Sequence, residues 1–517
     1  ITVCLPSSVL AADYYIDPIN GNDTDPGTSV EPWKTITKAQ MSVVNGSTVY
    51  LRSGNYGIVT ISKTGLSRNN WDDGIVYEAE NGSTPVFEQL LITEEENRYV
   101  TFSGIDVTAS ADSSCIKVVH IENSSHIRIM NCNITGRWDQ TGTYLSKYGI
   151  FIEGIPGTEG IYDILIEGCD ISQADQAVKL YHHIGGDIVM RNNHMHIVAS
   201  SIIGLDSFPD DNGLILIEGN HLHDRRKTPE AHGSGISVRD SNVTIRGNFI
   251  HDFGGSGSIC FYAGSNTPGG SGKFENILIE NNLIYDGQGS TNLQIWSLKS
   301  NVTIRNNTII GWYWGSGTSK YLVAMAINNA TNNQVTGLSI YNNIFIGSVG
   351  LNDDLGNFVE NNNIFWSLSR NNVYKSSPYG DSSIIIVHSG GYNPGYDENF
   401  FEGSGNFFVG GSNFDTYSYT HPVSQDPYYE GDTSSHKQYL NDAYQLASGS
   451  DAIGFANPAY APATDILGVS RVFPQDAGCY EYISGTPDIT TPSVPQNLTA
   501  LAISESQINL SWDASSD

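Results

Sequence analysis

Nine times between Ile127 and Phe365 the chain repeats one short phrase: alternating apolar residues, an Asn-like residue, any residue, then an apolar one. The phrase runs IRIMNCNI, ILIEGCDI, IVMRNNHM, LILIEGNHL, VTIRGNFI, ILIENNLI, VTIRNNTI, LSIYNNIF and FVENNNIF. Its fixed position is Cys132, Cys169, Asn193, Asn220, Asn248, Asn282, Asn307, Asn343 and Asn363, at successive spacings of 37, 24, 27, 28, 34, 25, 36 and 20. Recurrence at this period with strand-like alternation marks a solenoid, one coil per repeat. A helix is excluded because the apolar positions keep a period of two over runs too short for helical turns. Stacked Asn residues can hydrogen-bond from coil to coil and tolerate left-handed turns. The unequal spacings place the insertions in loops, where function concentrates. The expectation is an all-β chain, a parallel β-helix.

Composition limits what such a solenoid can serve. The 54 Gly and 28 Tyr suit turn-rich β structure, and Lys+Arg 25 against Asp+Glu 55 leave a net charge of −30. Nucleic acid and anionic membranes both require a basic footprint, so neither is an expected partner. The opening ITVCLPSSVLAA reads as the tail of a secretory signal peptide cleaved near Ala12, which would remove Cys4. No other apolar run approaches membrane-spanning length. A low, odd number of remaining cysteines does not make a disulfide scaffold. Cys132 and Cys169 share the ladder position on adjacent coils, where packing is favoured over a disulfide.

Tyr14-Tyr15-Ile16-Asp17-Pro18, Gly21-Asn22-Asp23, Pro26-Gly27-Thr28, Pro32-Trp33-Lys34-Thr35-Ile36 and Leu51-Arg52-Ser53-Gly54-Asn55-Tyr56 resemble the opening of secreted right-handed parallel β-helix proteins of the pectate-lyase-like superfamily. That resemblance implies a right-handed solenoid with an N-terminal cap, the cap helix running from Thr35 to Val44. A solenoid end needs such cover because it exposes core and strand edges. Ser448 to Gly454 and Arg471 to Tyr482 resemble the closing segment of such proteins. Pro495 to Ala500 and Ile508 to Trp512 look like the first strands of a fibronectin type III domain. The expected organisation is a signal-peptide remnant (1–12), a β-helix with loosened final coils (13–484), a linker (485–494) and a truncated β-sandwich module (495–517).

Between the ladder phrases lies a second strand per coil, and its outward residues form two columns. One reads Lys117, Phe151, Lys179, Gly204, Ser237, Cys260 and Gln294; the other reads Val119, Glu153, Tyr181, Asp206, Arg239, Tyr262 and Trp296. Aromatic faces at Tyr262 and Trp296 suit sugar rings, and Lys117, Lys179 and Arg239 suit uronate carboxylates or sulfates. Plain cross-strand packing is the competing explanation.

Loops on the same coils add His182, Asp210, Asp211, Arg225, Arg226, Glu230 and His232, within the densest histidine stretch of the chain. No HExxH or CxxC spacing marks a zinc site. The superfamily resemblance implies a polysaccharide lyase acting on an acidic, uronate-containing glycan. Lys179 or Arg239 would then be the base, with Tyr181 or His232 as alternates, and Asp206, Asp210 and Asp211 would hold Ca²⁺. Substrate contacts are expected from Lys117, Glu153, His182, Arg225, Arg226, Tyr262, Gln294 and Trp296. A glycoside hydrolase would instead pair Asp206 with Glu153, Asp211 or Glu230, although the polygalacturonase motifs are missing. A non-catalytic glycan-binding surface protein is the third reading. Each implies a secreted or surface-held monomer with a polysaccharide partner.

Overall fold

The computed structural model describes residues 12–61, 69–93, 98–110, 115–137, 146–155, 161–181, 186–206, 213–224, 233–251, 257–261, 274–285, 292–296, 298–310, 312–314, 321–328, 336–346, 348–351, 358–367, 373–375, 384–388, 445–446, 450, 452–483, 496–504 and 507–513. The signal-peptide reading of residues 1–11 and most of the loosened 371–440 stretch lie outside them. Residues 482–517 form a separate unit in which Gln496–Ser504 pairs antiparallel with Gln507–Asp513.

The rest is a right-handed parallel β-helix with three strands per coil rather than two. Each repeated phrase splits across a sharp turn, so Ser125–Met130 enters a first sheet and Asn133–Thr135 a third. The intervening strands, such as Lys117–Glu122, build a second sheet. Among the described residues each of the three sheets has 13 strands, parallel throughout except where Trp312–Trp314 pairs antiparallel with Tyr321–Asn328. Alternation sends one side-chain set inward. Ile127, Ile164, Ile188, Ile215 and Val243 stack in register and are essentially inaccessible.

The phrase splits because the residue before the ladder position takes a left-handed conformation. It is Asn131 (φ 52°), Gly168 (65°), Asn192 (55°), Gly219 (63°) and Gly247 (64°), then Asn281, Asn306, Asn342 and Asn362. Only glycine and asparagine visit this region readily. The ladder asparagine that follows points inward instead. Asn220 donates from both its backbone N (2.9 Å) and its Nδ2 (3.0 Å) to Asn248 Oδ1, and Asn248 repeats the pattern on Asn282. The ladder runs from Asn193 to Asn363. Cys132 and Cys169 occupy its first two rungs as buried free thiols.

At the N-terminal end, helix Ile36–Ser42 buries Ile36 and Ala39, and Thr35 caps it by accepting from Lys38 N at 3.1 Å. At the other end, residues 452–481 lie along the left-handed turn column. Asn281, Asn342 and Asn362 donate to the carbonyls of Thr464, Asn457 and Phe455. Arg471, its side chain fully buried, bonds Gly478 O, Asn281 Oδ1 and Glu481. The turn asparagines thus serve twice: they permit the turn, and they anchor the closing segment.

Candidate functional site

The outer face of the second sheet follows the observed register. One column reads His120, Phe151, Lys179, Gly204, Ser237, Cys260 and Gln294. Another reads Glu122, Glu153, Tyr181 and Asp206, with Arg239 just beyond the strand that follows. Sequence alignment put Lys117 and Val119 where His120 and Glu122 stand. Lys117 instead pairs with Tyr148, and Val119 is core opposite Ile150. The error is a three-residue slip. Strand Lys117–Glu122 buries Val118 and Val119 consecutively, so simple alternation fails there.

Lys117 still reaches the face. Its Nζ lies 3.0 Å from Glu153 Oε2, 3.1 Å from His120 Nε2 and 4.3 Å from the Phe151 ring centroid. Tyr148 stacks on Phe151 at 4.5 Å. Burial first, then the Lys117 cation, push the His120 imidazole towards its neutral form despite Glu153 at 3.3 Å.

Two coils further on, Lys179 reaches to Asp206 Oδ2 on the neighbouring strand, while Arg239 Nη1 stands 3.4 Å from Asp206 Oδ1. Among the described residues Lys179 is the one lysine in the buried set, 9% exposed. Gly204 makes that path. A Cβ there would lie 2.6 Å from Gln176 Oε1, 3.2 Å from Lys179 Cδ and 3.4 Å from its Nζ. Burial lowers the Lys179 pKa; Asp206 pulls it back up, and Arg239 and Lys147 lower it again. An amine pushed towards neutrality beside a guanidinium can abstract a proton near a bound carboxylate.

The structure therefore gathers Lys179, Asp206 and Arg239, and separately Lys117, Glu153 and His120. Tyr181 lies beside Asp206 in its column and Gln294 beside Cys260, whose Sγ is 3.7 Å from Gln294 Oε1. Trp296 ends strand Leu293–Trp296, its backbone paired with Asn328. His182, Asp210, Asp211, Arg225, Arg226, Glu230, His232 and Tyr262 lie outside the described residues. The expected calcium ligand Asp206 does not fit that role as it stands, since its two oxygens face two cations. Sequence reasoning missed His120, Gln176 and the spacing role of Gly204. Only the register signals the first two, and a glycine inside a strand is the one clue to the third.

Comparison with known proteins adds a partial match. The matching family model is the Pel9A-like right-handed β-helix region, over residues 14–175. It covers Lys117, His120 and Glu153 but ends before Lys179. The uncharacterized protein YwoF of Bacillus subtilis is 25% identical over 224 residues, which is 40% of this chain and 47% of that protein. Pectate lyase PEL9 of Emericella nidulans is 31% identical over 122 residues, 23% of this chain and 27% of its own length. Each match spans less than half of the relative's length. The crystal structure of pectate lyase Pel9A aligns over 92% of this chain and 97% of its own, at 13% identity and a TM-score of 0.46. Among the described residues no helix is long and apolar enough to cross a membrane.

Proposed function

We propose that this chain is a secreted polysaccharide lyase that cleaves an acidic, uronate-containing glycan of the pectate class by β-elimination. The observation that carries the reading is the carboxylate of Asp206 set between the buried Lys179 and the partly exposed Arg239. The family match and the name of PEL9 support the substrate class.

Arg239 binds the uronate carboxylate and withdraws charge from C5. Neutral Lys179 Nζ takes the C5 proton. The C–H electron pair becomes the C4=C5 double bond as the C4–O bond breaks, and the leaving oxygen is protonated by Tyr181 or water. Asp206 is a positioning residue, holding both cations at neighbouring strands. Lys117 with Phe151 and Tyr148 gives a second contact region for the chain of sugars, one cation beside stacked rings. Calcium enters no step.

The hydrolase reading has less support. Glu153 and Asp206 are two strands apart in one column, and each faces a lysine. A glycosidase needs two carboxyls free to flank the scissile bond, and both of these are held in ion pairs.

The test is turnover on polygalacturonate and other acidic and neutral glycans, following unsaturated uronate absorbance and reducing ends together. The lyase reading requires both to rise. Reducing ends without absorbance would transfer the role to the carboxylates, and silence across the panel would favour a glycan-binding protein. Arg239→Ala should raise KM by roughly 10- to 100-fold, as for loss of a charged contact of about 1.5–3 kcal/mol.

A further inference from the structure

Five histidines stand on the outer face of the third sheet, not on the second sheet that carries Lys179. His194 and His196 lie on one coil, His221 and His223 on the next, and His251 on the one after. The residues between them, Met195, Leu222 and Ile250, point into the core. All five imidazoles are nonetheless withdrawn from water: His221, His223 and His251 are buried, and His194 and His196 expose only a small part of their rings.

Asp170, one coil earlier, organises them. Its carboxylate accepts from His194 Nδ1 at 2.6 Å and from His196 Nε2 at 3.2 Å. A carboxylate in its ordinary ionised form has no proton to give and can only accept. His194 therefore carries its proton on Nδ1. That leaves the Nε2 lone pair facing His223 Nε2 at 2.7 Å. A carboxylate fixing a histidine tautomer so that the opposite nitrogen is bare is the arrangement that orients metal-bound imidazoles.

We propose that His194, His221 and His223 bind one divalent transition-metal ion, zinc, nickel or copper, with Asp170 as the positioning group behind His194. Ring nitrogens of these three residues lie within 4.8 Å of one another. Ligands at ~2.0–2.1 Å from a tetrahedral ion stand ~3.3 Å apart, so the 2.7 Å pair opens by roughly 0.6 Å on binding. Imidazole donors select these ions over calcium or magnesium. The partly exposed Asp170, beside the less exposed His194, marks the side from which an ion would enter. Because the ligands come from two successive coils, the ion clips them together and adds stability rather than catalysis.

The full-length chain, stripped by a chelator, would be titrated calorimetrically with Zn²⁺ and, separately, with Co²⁺ for its visible spectrum. The expected result is one tight equivalent, a tetrahedral-type Co²⁺ spectrum and a higher melting midpoint. His194→Gln and His223→Gln should each weaken binding more than tenfold. Asp170→Asn, which leaves every ring in place, should weaken it by ~10–100-fold. Lys179→Met should bind like wild type. No tight equivalent in the wild type, or an Asp170→Asn isotherm superimposed on it, would overturn the proposal. If the histidine variants fail to fold, the Asp170→Asn comparison and the Co²⁺ spectrum still decide it.

Discussion

Two columns of charged side chains climb this solenoid, one on the first sheet and one on the second, and they are built differently. On the first sheet Glu167, Arg191, Glu218, Arg246, Glu280 and Arg305 stack in register with strictly alternating sign. Each arginine pairs back to the glutamate one coil before, at 2.7, 2.6 and 2.6 Å. Arg191 and Arg246 keep about two-fifths of their side chains in water. On the second sheet Glu122 and Glu153 are adjacent like charges, and Lys179 and Arg239 share the single carboxylate of Asp206. The regular column gives each arginine a glutamate of its own. The irregular one buries a lysine and leaves a guanidinium partly exposed, an arrangement that an anionic sugar would complete.

The largest effect expected from this contrast is on turnover. Lys179→Met should lower kcat on the acidic glycan by roughly 10²–10⁴-fold, the usual worth of a positioned base, with the melting midpoint little changed. Equal loss from Arg246→Ala would erase the distinction between the columns.

The next effect is on stability. Asn248→Ala removes the acceptor of both Asn220 donors and the donor to Ile217 O, so about 3 kcal/mol of destabilisation is expected in urea unfolding. The folded variant should retain whatever turnover the wild type shows, since the ladder lies inside the turn and not on the outer face of the second sheet.

A smaller and more diagnostic effect concerns pH. A base with a depressed pKa works as its neutral amine, so kcat/KM should rise with pH up to the Lys179 pKa. Asp206 raises that pKa, so Asp206→Asn should move the rising limb to lower pH, alongside a loss of rate from poorer positioning. The linkage has the same sign. The unfolded lysine holds its proton more firmly than the folded one, so this group's contribution to stability grows with pH between the folded and unfolded values. A limb that stays put in Asp206→Asn would remove Lys179 from the role of base.

The smallest effect sharpens the other side of the comparison. Arg246→Ala breaks one exposed pair of the alternating column and should cost less than about 1 kcal/mol, with turnover unchanged.

Much of this was legible in the repeat. The apolar alternation, the Asn position and the insert spacing define a parallel solenoid because stacking demands the same residue at the same turn on every coil. The cap helix was legible too, from Thr35 to Val44, against an observed Ile36–Ser42. The division of each phrase into two strands was not, since it depends on which of two neighbouring asparagines takes positive φ. In Asn192-Asn193 and Asn306-Asn307 the letters are the same, and only one residue of each pair turns left-handed.

The sequence by itself determined the periodic parts of this protein: the coils, the ladder and the inward faces, where each residue's environment repeats. Tertiary structure decided the parts that do not repeat. Lys179 meets Asp206 from 27 residues away because Gly204 leaves the path clear, and His194 meets Asp170 and His223 because register places three coils side by side. Those contacts depend on where each side chain points between neighbouring strands, which the repeat does not encode. Periodicity specifies neighbours only where the pattern holds, and the candidate sites lie where it breaks.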